Sequence, residues 1–310
     1  MSPVRTSLER DLFPPIQRLL KRAGWRVWGE ATLRAGERTR TVDLLGWRWD
    51  GDLIDAIAVE VELGDGDRGI PQGVAYGVGF DRVMVAAEKT LPDHVQSVFE
   101  KLGLGYIVAS SSRAAVVLEP GRNSLVDRQA RDENRARVRL RHLWNDRVVG
   151  ETTRFGKDQR GPLWGTIGPM SEWRIAALLH PHGTHTHLSL VAESTPLGKQ
   201  VSTSAKPKRF MEVIAPLDGA EIHLRRREYK FQPRYKDVAT WSPGDDTAAM
   251  RKLLAAARRI KGTSLGPWFE IRTNLWSHSA RLTEPQAAQE LRAAVDRLRP
   301  VRDELNRMVR

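Results

Sequence analysis

The sequence predicts an α/β fold for roughly its first third, followed by a basic domain of mixed helices and strands. Three observations carry this prediction. Helix-like and strand-like segments alternate along residues 7–120, the run Ile54–Leu63 alternates with the two-residue period of a strand, and the positive charge lies after residue 120. A chain of 310 residues is long for one core, so two domains are expected.

Nine elements are predicted in the first domain, residues 1–120. A helix runs from Ser7 to Ala23, where Pro14 and Pro15 favour two short helical pieces. The elements that follow are strands over 25–28, 40–47 and 54–63, a helix over 71–78, a strand over 81–88, a helix over 94–102, and strands over 105–111 and 114–120. This order predicts a mixed sheet flanked by helices.

The rest of the chain is predicted as a basic helical linker, residues 121–148, and an α+β domain, residues 149–310. The segment 195–208 combines Ser, Thr, Pro and Gly and is predicted to be an exposed loop. A helix is predicted over 246–261, and Thr283 with Gln286 forms a capping box for a closing helix that Pro300 kinks or breaks.

Composition restricts the classes of function. Residues are 40% hydrophobic and cysteine is absent, which indicates a globular protein and excludes disulfides, zinc–thiolate sites and iron–sulfur clusters. No signal peptide or membrane span is recognisable, so a cytoplasmic protein without a membrane partner is expected. Residues 1–120 carry a net charge of −2 and residues 121–310 a net charge of +14. Such a basic part favours a polyanion, nucleic acid above all, although a solvated basic surface is the alternative.

Three carboxylates are predicted to meet at one end of the sheet. Glu60 and Glu62 point to the same side of their strand, and Asp43 lies on the adjoining strand. Crowded like charges are unfavourable without a cation, and carboxylate oxygens are ligands that Mg²⁺ (or Mn²⁺) prefers. The pattern therefore predicts a divalent cation site for phosphodiester hydrolysis. A solvent-exposed strand face is the alternative explanation of the same acids.

Several short strings in the first domain resemble the PD-(D/E)XK nuclease superfamily. They are ERDLFPPIQRLLKRAGWRVWGE from Glu9 to Glu30, VDLL around Asp43, AVEVEL around Glu60, Q-x-x-x-Y from Gln72 to Tyr76, DRVMVA and LGLGYIV. The similarity covers nearly all of residues 7–120. It implies a restriction-endonuclease-like core in which Asp43 and Glu60 bind the metal, with Glu9 and Gln72 as supporting catalytic residues.

One position departs from that family. Its signature has a lysine two residues after the acid, whereas this chain has Glu62. Some restriction endonucleases of the superfamily carry Glu at this position, so Glu62 is expected to act as a general base or to position water. The alternative is an inactive nuclease fold that binds DNA or serves in assembly. Arg68 and Lys89 are candidates for a relocated positive charge, and Glu30 for a further role at the site.

Two segments of the second domain carry further candidates. The segment 223–236 interleaves aromatic residues with six predicted nucleic-acid-binding residues, namely Arg225, Arg226, Arg227, Lys230, Arg234 and Lys236. The run HPHGTHTH, with histidines at 180, 182, 185 and 187, lacks the acid of known His-rich metal motifs, so a loop entering a strand is preferred over a zinc site. The sequence as a whole predicts a metal-dependent DNA nuclease, as a homodimer or with a partner subunit.

Overall fold

The chain contains two compact units, Met1–Arg139 and Leu140–Arg310. The computed structural model describes residues 5–35, 38–51, 53–121, 123, 126–144, 164–179, 186–227, 235–260, 266–274, 276 and 282–310. The division between the units falls inside the segment 121–148 that was predicted as a linker. Each unit has its own six-stranded sheet with helices, which confirms the predicted α/β class.

The first unit has all nine predicted elements in the predicted order. The helices are α1 (Arg5–Arg22), α2 (Ile70–Gly77), α3 (Asp93–Leu102) and α4 (Arg128–His142), of which α4 crosses the division between the units. The strands are β1 (Arg26–Ala35), β2 (Arg38–Asp50), β3 (Leu53–Val61), β4 (Arg82–Ala87), β5 (Gly105–Ala109) and β6 (Ala114–Leu118). A single 3₁₀ turn, Gly66–Gly69, precedes α2.

The first sheet is mixed and has the order β1-β2-β3-β4-β5-β6. The β1/β2, β2/β3 and β5/β6 pairs are antiparallel, whereas β3/β4 and β4/β5 are parallel because α2 and α3 each return the chain to the same end of the sheet. Strand β3 therefore lies at the centre, between an antiparallel and a parallel neighbour.

Both faces of this sheet are buried. Alternate residues of β3 divide between them: Ala56 and Ala58 belong to the core that contains Tyr76 of α2 and Phe99 of α3, while Ile57 and Val59 belong to the core on the opposite face, under α1. The predicted alternation of this strand is confirmed. Because Glu60 continues the Ala56 and Ala58 series, it lies on the α2 face.

Helix α1 contradicts the prediction of two helical pieces, since it is continuous through Pro14 and Pro15. The prolines remove the hydrogen bonds to the carbonyls of Arg10 and Asp11, four residues earlier. Both of those residues are exposed, so water can solvate the carbonyls. On the other side, Leu12 is buried in the same core as Ile16 and Leu20, and this continuous apolar stripe holds the helix on the sheet.

The second unit is an antiparallel sheet with the order β11-β10-β12-β9-β8-β7. Its strands are β7 (Trp164–Ile167), β8 (Arg174–Leu179), β9 (Thr186–Ala192), β10 (Glu221–Arg227), β11 (Tyr235–Trp241) and β12 (Trp268–Thr273). Its helices are α5 (Thr195–Ser204), α6 (Pro207–Ile214), α7 (Thr247–Arg259) and α8 (Glu284–Val309).

Helix α5 shows that the predicted loop over 195–208 is wrong. Ser194 caps this helix, with its side chain accepting from the Leu197 N–H at 3.3 Å, and Pro196 occupies the first turn, where it is tolerated. The capping box of α8 is present as predicted, and α8 continues through Pro300. None of the helices in the described ranges is long and apolar enough to cross a bilayer.

Candidate active site

Asp43 and Glu60 lie side by side where the β2/β3 ladder ends. The final registered pair of that ladder is Leu44 with Val59, which puts Asp43 beside Glu60 one position further along. The Asp43 carboxylate accepts a hydrogen bond of 2.8 Å from the backbone N–H of Val61. The Asp43 carboxylate thus serves as the acceptor for a backbone N–H of β3 at this end of the sheet. This hydrogen bond fixes the carboxylate next to Glu60.

Helix α2 supplies the partner of Glu60. The Tyr76 hydroxyl donates to the Glu60 carboxyl at 2.6 Å, and the same hydroxyl lies 3.0 Å from the backbone carbonyl of Thr41. Both side chains are buried. Burial and the hydrogen bond to Glu60 raise the pKa of Tyr76, so the phenol remains a donor. Tyr76 therefore holds the Glu60 carboxyl from the helix side.

Burial dominates the ionisation of the two acids. It raises the pKa of Glu60 to about 8, with the Asp43 charge adding to the effect and the Tyr76 hydrogen bond opposing it. Burial also raises the pKa of Asp43, while the Val61 N–H opposes the change and the charges of Glu9 and Glu30 add to it. The hydrogen bond between the two carboxyls raises the pKa of Glu60 and lowers that of Asp43. It therefore favours a proton on Glu60 and a negative charge on Asp43. With a pKa of about 8, Glu60 is protonated at neutral pH beside Asp43.

Glu62 and Glu9 line an open pocket of about 500 Å³ next to this pair. Partial burial and the charges of Glu9 and Asp43 raise the pKa of Glu62, and the charge of Arg68 opposes them. Arg68 and Lys89 line the same pocket, together with Leu63, Gly64 and Asp65. Both residues considered for a relocated positive charge therefore lie beside Glu62.

Glu30 is a further acid at this end of the sheet. On β1 it stands opposite Asp43, between the registered pairs Gly29 with Leu44 and Ala31 with Val42. It has a left-handed backbone, with φ of 49°, which is unfavourable for any residue other than glycine and recurs at functional sites. Its carboxylate accepts from Arg10 at 2.8 Å. The G-E step was the only sequence signal for this residue, because backbone strain leaves no mark in the composition of a strand.

Gln72 was predicted as a supporting residue of the site. It is half-buried on α2, one turn before Tyr76, and among the hydrogen bonds of the described residues none joins it to the acids. Tyr76 is the residue of the Q-x-x-x-Y string that contacts the acidic pair. The supporting role of Gln72 stays a prediction.

The acids match a hard cation in chemistry, though they are not gathered as a finished metal centre. Within the described parts of the chain, no three Asp, Glu or His side chains are close enough together to hold a metal ion. The predicted convergence of three acids is thus limited to Asp43 and Glu60, with Glu62 beside them. Two adjacent carboxyls in a largely desolvated place, with raised pKa values, are nevertheless an arrangement that a divalent cation would relieve, so the donor set fits Mg²⁺ or Mn²⁺.

The predicted nucleic-acid-binding segment is only partly described. Lys230 and Arg234 lie outside the described residues, as does the side chain of Arg227. Arg226 on β10 and Lys236 on the edge strand β11 are registered partners and are exposed. Of the histidine run, 180, 182 and 185 also fall outside the described residues, and only His187 is described.

Arg225 has internal partners instead of a free guanidinium. It contacts Glu270 at 2.6 Å and Asp237 at 2.8 Å. The buried Glu270 carboxylate also accepts from Ser189 and Arg272 and contacts His187, each at 3.1 Å. This network on β9, β10 and β12 explains Arg225 and His187 as parts of a compensated buried carboxylate.

Several basic residues of helix α4 likewise contact other side chains of the first unit. Arg131 and Arg135 pair with Asp81 at 3.3 and 2.6 Å, and the buried Arg137 pairs with Glu133 at 2.6 Å. Arg139 stacks over the Trp49 ring at 4.7 Å. The helix predicted as a linker is thus packed on the first sheet through its arginines.

Comparison with known proteins identifies no family for the chain. No family model matches the chain, and neither does any curated protein. A solved structure, the SPO1766 protein of unknown function from Silicibacter pomeroyi, aligns with 46% of this chain and 94% of its own at 17% identity, with a TM-score of 0.30. A similarity this low carries no argument, so the function has to be argued from the site.

Proposed function

We propose that this protein is a metal-dependent nuclease of the PD-(D/E)XK type that hydrolyses phosphodiester bonds in DNA. The observation that carries the proposal is the pair formed by the half-buried Asp43 and the buried Glu60 at the end of the β2/β3 ladder, held by the Val61 N–H and the Tyr76 hydroxyl. Further carboxylates surround the pair, at Glu9, Glu30 and Glu62. Burial and mutual repulsion of carboxylates are unfavourable, and a bound cation offsets both.

In this proposal Asp43 and Glu60 hold Mg²⁺ or Mn²⁺. The cation supplies charge neutralisation at the phosphoryl oxygens and lowers the pKa of water. Tyr76 orients Glu60, and the Val61 N–H orients Asp43. Glu62 is partly exposed and has a raised pKa, so it is suited to accept the proton of the attacking water as a general base.

The second unit is proposed to bind the DNA. Residues 140–310 carry 29 Lys+Arg against 18 Asp+Glu, a net charge of +11. Arg226 on β10 and Lys236 on the edge strand β11 are paired in register, and both are exposed. Arginine and lysine at an exposed edge bind phosphates without sequence preference. A homodimer or a partner subunit would add to this surface.

A cleavage assay with defined variants tests the proposal. Plasmid and single-stranded DNA are incubated with Mg²⁺ or Mn²⁺ and with the wild type, Asp43→Asn, Glu60→Gln or Glu100→Gln. Glu100 is an exposed acid on α3 and serves as the matched control. The site variants should lose at least about 100-fold in rate while Glu100→Gln keeps the wild-type rate. Equal rates for all four proteins would refute the proposal.

A second candidate function is an inactive nuclease fold that binds DNA or serves in assembly. Glu62 favours it, because the position carries a negative charge where the signature of the superfamily has a lysine. In this case titration calorimetry with Mn²⁺ should give no heat that Asp43→Asn abolishes. Mn²⁺ binding that is lost in Asp43→Asn would argue against the inactive fold.

A further inference from the structure

The pocket beside the acids presents an electrostatic problem for a nucleic-acid substrate. Glu9, Glu62 and Asp65 line it, and the Asp43–Glu60 pair is adjacent. A phosphodiester that approaches such a surface is repelled, and one divalent cation offsets only part of that charge. A positive side chain in the same pocket is therefore required for the phosphate to be held.

Two cationic side chains line the pocket, and they differ in their partners. The Lys89 ammonium contacts Asp65 at 2.9 Å, so its charge is matched within the loop. Arg68 is exposed, and among the described residues it has no carboxylate within ion-pairing distance. Its charge nevertheless acts on Glu62, where it opposes the rise of that pKa. Arg68 is thus the cation of this pocket that is available to a ligand.

The turn that carries Arg68 is fixed by two close contacts of glycine. A Cβ at Gly66 would lie 2.3 Å from the Tyr106 ring, and a Cβ at Gly69 would lie 2.5 Å from Val85 and 3.3 Å from Glu62. The Tyr106 hydroxyl in turn donates to the Lys89 carbonyl at 2.6 Å. The backbone on both sides of Arg68 is therefore packed against the sheet, so the main chain that carries this side chain has a defined position near Glu62.

We propose that Arg68 binds the phosphoryl oxygens of the substrate phosphodiester in this pocket and is a catalytic residue of the chain. The inference rests on the proposed nuclease function and adds to it the group that counters the acids. A guanidinium suits this role because it donates two parallel hydrogen bonds to a phosphate and keeps its charge at all relevant pH values.

Two measurements on Arg68→Ala, Arg68→Lys and Lys89→Ala test the inference. The first is DNA cleavage with Mg²⁺ or Mn²⁺. The second is the affinity for a short single-stranded oligonucleotide by fluorescence anisotropy, with Ca²⁺ in place of the other cations. Arg68→Ala should lose about 10- to 100-fold in kcat/KM and weaken oligonucleotide binding, with a salt dependence reduced by about one phosphate contact. Arg68→Lys should fall between it and the wild type, because it keeps the charge without the paired donors.

Lys89→Ala is the matched control, since it removes one positive charge from the same pocket at a residue that is already paired. This variant should lower kcat/KM for cleavage and the affinity for the oligonucleotide by no more than about threefold each. All three variants should keep the thermal midpoint within about 2 °C, as both side chains are exposed.

Failure of the inference and failure of the proposed function are distinguishable. If the wild type cleaves and Arg68→Ala cleaves and binds equally well, the role of Arg68 is refuted while the nuclease stands. Equal losses for Arg68→Ala and Lys89→Ala would also refute it, because the effect would then be one of general charge. If the wild type cleaves nothing, the nuclease fails, and a loss of oligonucleotide binding in Arg68→Ala alone would still support phosphate binding.

Discussion

Replacing Glu60 with Gln should remove the pH dependence of stability that Glu60 imposes on the metal-free protein. In the folded chain Glu60 is protonated and donates to Asp43 while it accepts from Tyr76. A glutamine has nearly the same shape, with an N–H to donate to Asp43 and a carbonyl to accept from Tyr76. Glu60→Gln therefore mimics the protonated acid, and its side chain does not titrate.

The size of the effect follows from the pKa of Glu60, which rises from the usual 4.5 to about 8 on folding. Between these values the folded chain holds a proton that the unfolded chain has lost. Stability from this group is thus complete below pH 4.5 and is lost as the pH rises towards 8. At about 1.4 kcal/mol per pH unit, the loss amounts to about 5 kcal/mol at most.

Urea unfolding in the presence of a chelator, from about pH 5 to about pH 9, measures this difference. The wild type and Glu60→Gln should be similarly stable at the acidic end, and the variant should be more stable by several kcal/mol at the alkaline end. Glu100→Gln, an exposed acid, should follow the wild type throughout. Parallel curves for the wild type and Glu60→Gln would refute the argument that burial raises the pKa of Glu60.

Two further predictions concern stability alone. Glu30→Gly should stabilise the protein by about 0.5–1 kcal/mol in urea unfolding, since glycine relieves the left-handed backbone; a loss above about 1 kcal/mol would show that this backbone is not strained. Glu270→Ala should destabilise the protein by about 3–5 kcal/mol in the same experiment, because it leaves Arg225 and Arg272 without their buried carboxylate; a change below about 1 kcal/mol would contradict that role.

The sequence was a good guide to the fold of the first unit because periodicity reports which face of an element is buried. Ile57 and Val59 alternate with Ala56 and Ala58, and the structure places the two sets in different cores. The same alternation put Glu60 on the correct face. Caps were also readable, as the contact between Thr283 and its partner in α8 demonstrates.

What the sequence missed depends on three-dimensional context. Pro14 and Pro15 usually break a helix, yet burial of α1 on the sheet outweighs their local effect. The hydrogen bond from Tyr76 to Glu60 joins a helix to a strand, and residue spacing does not report contacts between elements. Spacing alone therefore favoured Gln72 as strongly as Tyr76 for a place at the site. Arg225 could not be separated from its exposed neighbours, because its partner Glu270 lies far away in the chain.

The distribution of charge implies that most of the affinity and the cleavage depend on different groups in the proposed nuclease, with Arg68 contributing to both. The acidic end of the first sheet cannot attract DNA, and arginines such as Arg137 and Arg225 are already paired with carboxylates. Affinity must therefore come from the exposed remainder of the basic residues, which makes it sensitive to salt. Hydrolysis instead requires the acids at the sheet end. Neutralising Asp43 should consequently leave affinity unchanged or raise it, even where it abolishes cleavage.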